Sequence, residues 1–114
     1  MFLSDPSKTT VGSHSIRVKA SYTGLKTSGN YAGGWKETET GATAVASYDG
    51  TPGYHSDTDN GYIVEISVPL SSLNIVDGKL LINASLFDIK NGGEDALVST
   101  AGKSTEGWIC VTGL

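Results

Sequence analysis

The clearest structural signal in the chain lies at residues 62–69, YIVEISVP. A repeat of two residues indicates a β-strand with one buried face, whereas a helix repeats its apolar side chains about every 3.6 residues. Pro69 ends the run, because proline cannot donate a hydrogen bond to a neighbouring strand. The pattern therefore predicts a strand over residues 62–68, with one side carrying Tyr62, Val64, Ile66 and Val68.

Two more stretches predict strands of this kind. Residues 15–22 alternate in the same way, which predicts a half-buried antiparallel strand with Ile16, Val18, Ala20 and Tyr22 on its apolar side. Residues 80–87 are largely apolar at both even- and odd-numbered positions, interrupted by Asn83 and Ser85. This pattern predicts a central strand covered on both sides. Shorter strands are expected at residues 2–3, 42–48, 96–99 and 108–112.

The remaining segments predict turns and loops. Pro69–Ile75 fits a single helical turn, and Gly24–Thr40, with little alternation, fits a long loop or a loose hairpin. Short strands separated by glycine-rich turns predict an all-β fold, an antiparallel β-sandwich of the jelly-roll type. With 114 residues, the chain is expected to form one domain, residues 1–114.

Charge and composition exclude several classes of function. The net charge of −4 leaves no basic surface for nucleic acid, and no apolar stretch is long enough to span a membrane. Cys110 is the only cysteine, so an internal disulfide and a cysteine-based metal site are excluded. No charged segment followed by an apolar run opens the chain, so no signal peptide is predicted, although a domain cut from a longer secreted protein would lack one too.

The search for catalytic chemistry finds no motif. Only His14 and His55 are candidate imidazole bases, and neither lies in a nucleophile or metal-ligand pattern. Glu65 and Asp88 are candidate acid/base carboxylates, but nothing in their spacing brings them together. We therefore expect a protein that is not an enzyme and assign no catalytic residue.

The residue types are compatible with two kinds of ligand, a cation and a sugar. The acidic run 57–61, DTDNG, carries oxygen ligands of the kind that bind calcium, but its spacing does not match an EF-hand. A surface turn is therefore favoured, and a calcium loop of another type is the alternative. Trp35 and Tyr31 in a glycine-rich segment suit stacking on the flat face of a sugar ring, against the alternative that Trp35 is a core residue. Trp108 is expected to be framework.

Several of these stretches together resemble the family 9 carbohydrate-binding modules and their DOMON-like relatives. The run 59–69, DNGYIVEISVP, is similar to a characteristic strand of that family, and Gly78 through Asp88 is similar to the apolar strand that follows it. Phe2-Leu3-Ser4-Asp5-Pro6 and Ile16-Arg17-Val18 resemble two earlier strands, and Trp108–Leu114 resembles the last one.

The resemblance implies a non-catalytic module that holds a secreted bacterial glycoside hydrolase on plant polysaccharide such as xylan or cellulose. It places a sugar-binding arginine at Arg17 and gives Ser85 the position of a sugar-binding glutamine. With Trp35 and Tyr31, these are the candidate carbohydrate-binding residues. The implied location is extracellular or at the cell surface. The alternative is a structural or adhesive β-sandwich of a bacterial surface protein that binds no sugar.

Compared with that family, the chain begins after its first strands. Loss of those strands from a sandwich would expose a sheet edge and part of an apolar face. We therefore expect either a fragment that forms a homo-oligomer through the exposed edge, or a shortened form of the module with a reorganised edge, and we favour the fragment.

Overall fold

The computed structural model describes residues 1–48, 62–90, 93–98 and 104–114; side chains are described for residues 1–47, 62–85 and 104–114. These residues form ten strands and one turn of 3-10 helix at Leu70–Ser72. The strands are β1 (Phe2–Ser4), β2 (Ile16–Ser21), β3 (Gly24–Tyr31), β4 (Trp35–Glu37), β5 (Thr43–Tyr48), β6 (Tyr62–Ser67), β7 (Leu80–Asn83), β8 (Leu86–Lys90), β9 (Gly93–Val98) and β10 (Ile109–Val111).

The central element is a six-stranded sheet in the order β10-β7-β1-β2-β3-β4. Its neighbouring strands are all antiparallel. Two hairpins, β5–β6 and β8–β9, are also antiparallel. The predicted all-β, antiparallel fold class is confirmed, whereas the two full layers of a jelly-roll sandwich stay a prediction. Within the described residues, no helix has the length and apolar character needed to cross a membrane.

The hydrophobic core lies on one face of the six-stranded sheet, which we call the inner face. Its buried side chains form one cluster: Leu3, Ile16, Val18, Ala42 and Leu80. Partly buried side chains pack against this cluster from β6 and from the segment after it: Ile66, Val68, Leu73 and Ile75. The β5–β6 hairpin and the helical turn therefore cover the inner face.

The two predicted alternating strands are both present. On β2, Ile16 and Val18 are buried while Lys19 is exposed, and on β6, Val64 and Ile66 are half-buried while Glu65 is exposed. The prediction fails at Tyr22, which is exposed because β2 ends at Ser21 and the chain turns there. The Thr23 amide donates to Ser21 Oγ at 3.2 Å within that turn.

Two other predictions were wrong in part. Residues 80–87 do not form one strand: β7 ends at Asn83, where its pairing with β1 stops, and β8 pairs with β9 instead. Of the two alternatives for Gly24–Thr40, the hairpin is present, since β3 pairs with β4. The long loop is wrong, because β3 also pairs along β2. Sequence alternation did not reveal β3, because polar residues occupy much of both of its faces.

The short predicted elements agree better with the structure. Strands lie at Phe2–Ser4, Thr43–Tyr48 and Ile109–Val111, and the helical turn lies within Pro69–Ile75. β9 begins earlier than predicted, at Gly93. In the described part of the chain, β4 and β10 form the edges of the six-stranded sheet, and Ile109 on β10 is 69% exposed. Association of two copies through such an edge stays a prediction.

The core analysis predicts a large difference between two isoleucines. Ile16 is 2% exposed on the inner face, whereas Ile63 is 66% exposed on β6. Ile16→Ala should lower the free energy of unfolding by about 2–5 kcal/mol, because it removes buried methyl groups and leaves a cavity. Ile63→Ala, the matched control, should change it by less than about 0.5 kcal/mol. Urea unfolding of both variants measures this, and equal losses would contradict the assignment of the inner face.

Candidate functional site

The opposite face of the six-stranded sheet, which we call the outer face, carries the candidate sugar-binding residues. The register aligns Phe2 on β1 with Arg17 on β2, Arg17 with Gly29 on β3, and Gly29 with Glu37 on β4. Because side chains alternate between the two faces of a sheet, Arg17 points away from the face that Ile16 and Val18 occupy. The next pair along, Tyr31 and Trp35, lies on this same outer face.

Trp35 is the centre of the contacts on the outer face. The Arg17 guanidinium carbon lies 5.3 Å from the centroid of the indole ring, within the range of a cation–π interaction. The Tyr31 ring meets the indole edge to face, with centroids 5.3 Å apart, and the Phe2 ring lies 5.6 Å away on a tilted plane. Trp35 is half-buried, so it is neither a core residue nor a fully exposed platform.

A depression in the surface lies beside the indole, too shallow to enclose a water molecule. Its walls come from β2, β3 and β4: Arg17, Thr27, Ser28, Gly29, Trp35, Lys36 and Glu37. Polar and charged groups of both signs therefore surround an aromatic ring. Such a surface offers hydrogen-bond donors and acceptors around an apolar patch, the combination that recognises a small polar ligand.

Gly29 allows the backbone of β4 to come very close to β3 on the outer face. A Cβ atom built on Gly29 would collide with the carbonyl oxygen of Lys36, so only glycine fits under this part of β4. Two other small residues belong to the face: Ser4 and Ser15 are fully buried, and their hydroxyl oxygens lie 2.8 Å apart in a hydrogen bond. Small residues at these three positions leave room for the large rings that share the face.

The structure thus brings together three of the four candidate sugar-binding residues, Arg17, Tyr31 and Trp35. Ser85 lies apart from them, in the break between β7 and β8, and does not line the depression. The sequence analysis missed the involvement of Phe2 and Trp108, whose rings lie 6.0 Å apart. Alternation in Phe2-Leu3-Ser4 was the available signal, since a buried Leu3 directs Phe2 to the opposite face.

The candidate catalytic residues are dispersed in the structure. The His14 ring donates from Nε2 to the Thr10 carbonyl at 3.1 Å, and Glu65 is exposed on β6. Asp88 lies on β8 in a separate hairpin. His55 and the acidic run 57–61 lie outside the described residues. Among the residues whose positions are described, no cluster of three or more histidine, cysteine, aspartate or glutamate side chains could hold a metal ion.

Comparisons were made with protein-family models, with curated proteins and with solved structures, and none of the three finds a match for this chain. The geometry of the outer face is therefore the main support for a functional assignment.

Asp5 is a charged group with a well-defined environment close to β1. The hydroxyl and the backbone amide of Ser7 both donate to Asp5 Oδ1, at 2.6 and 2.7 Å. The Ser7 hydroxyl is the largest cause that holds the pKa of Asp5 below its ordinary 3.8, and the nearby His14 and Lys8 add to the effect. The carboxylate therefore holds the turn that follows β1.

This environment predicts a pH-dependent contribution to stability. Because the folded protein lowers the pKa of Asp5, its contribution is present above pH 3.8 and is lost as the pH falls through the lowered value. Asp5→Asn should cost about 1 kcal/mol of unfolding free energy at neutral pH, and the difference from the native protein should shrink in acid. Glu65→Gln, at an exposed carboxylate on β6, is the control. Urea unfolding at several pH values tests this; a cost independent of pH contradicts it.

Proposed function

We propose that the chain is a non-catalytic carbohydrate-binding module whose ligand binds on the outer face at Arg17, Tyr31 and Trp35. The observation that carries the proposal is the contact of Arg17 and Tyr31 with the Trp35 ring, at 5.3 Å from its centroid in each case, beside a shallow depression that Arg17 and Trp35 line. Two of them were selected by ring chemistry and one by resemblance. Their meeting on one sheet face supports both lines of reasoning.

The chemistry of the three groups suits a pyranose sugar. The C–H groups on one face of the sugar pack against an aromatic ring, while its hydroxyl groups point outward. A guanidinium is planar and presents its donors as a fork, so Arg17 donates to the oxygens of two neighbouring hydroxyls. Glu37, at the rim of the same depression, offers an acceptor for a sugar hydroxyl.

The resemblance of residues 59–69 and 78–88 to family 9 modules supports plant polysaccharide, xylan or cellulose, as the substrate class. On the same basis we propose that the module belongs to a secreted bacterial glycoside hydrolase and acts outside the cell or at its surface. No cofactor is assigned to this role, and calcium at residues 57–61 stays a prediction.

A structural or adhesive domain is the second candidate. The observation that favours it is the packing around Trp35, where Arg17 covers the indole and the Phe2 and Tyr31 rings contact it from other directions. In that case the outer face is a second packed layer that stabilises the sheet, and the arginine serves the fold instead of a ligand.

Calorimetric titration distinguishes the two candidates. Xylo- or cello-oligosaccharides should release heat with the native protein at concentrations near millimolar, and Arg17→Lys should weaken binding about tenfold, a change of about 1.4 kcal/mol. Tyr31→Ala should also weaken it. Tyr22→Ala is the matched control, because Tyr22 is an exposed tyrosine in the turn after β2. Absence of heat with every sugar of both series would exclude the proposed function and favour the structural role.

A further inference from the structure

We draw no further inference here: the strongest candidate, the edge of the six-stranded sheet at β10 with its exposed Ile109 and Cys110, carries no proposal because nothing in the described part of the chain shows what covers it.

Discussion

The alternation of side chains along β2 is the constraint on which the rest of the molecule depends. Ile16 and Val18 enter the core on the inner face, and Arg17 between them must therefore point to the outer face. β2 lies within the sheet between β1 and β3, so its orientation fixes that of both neighbours. Leu3 joins the core and Phe2 joins the outer face for the same reason. A single strand thus assigns one face to the core and the other to the candidate site.

The division is visible in the chemistry of the two faces. The inner face is aliphatic and is covered by the β5–β6 hairpin and the segment after it. The outer face combines aromatic rings, one guanidinium and small residues, and it holds the open depression. Arg17 is the only arginine of the chain, and it lies where its flat cation meets an indole. The rings in contact with Trp35 therefore lie on the outer face, opposite the buried aliphatic cluster.

Sequence reasoning was sufficient for elements whose signal is local. The alternation around Ile16 and Val64 marked strands, and Pro69 marked the end of one. It failed where pairing with distant strands decides the structure. β3 carries polar residues on both faces and is a strand because β2 pairs with it, and the apolar run 80–87 divides because pairing of β7 with β1 stops at Asn83.

The same limit explains which residues of the candidate site the sequence analysis identified and which it missed. Tyr31 and Trp35 were identified by their ring chemistry, and Arg17 by resemblance, because these signals are carried by the residues themselves. The contact of Phe2 with Trp108 depends on the registers that join β1 to β7 and β7 to β10, between residues about a hundred positions apart. No local pattern encodes such a register.

The close approach of β4 to Gly29 makes a position without any side chain a determinant of the shape of the outer face. Trp35 is the first residue of β4 and Lys36, whose carbonyl fills the space above Gly29, is the second. A methyl group at residue 29 would lift this edge strand and carry the indole away from Phe2 and Arg17. Under the proposed function, selection for ligand affinity would therefore act on backbone spacing at residue 29, in the lining of the depression itself.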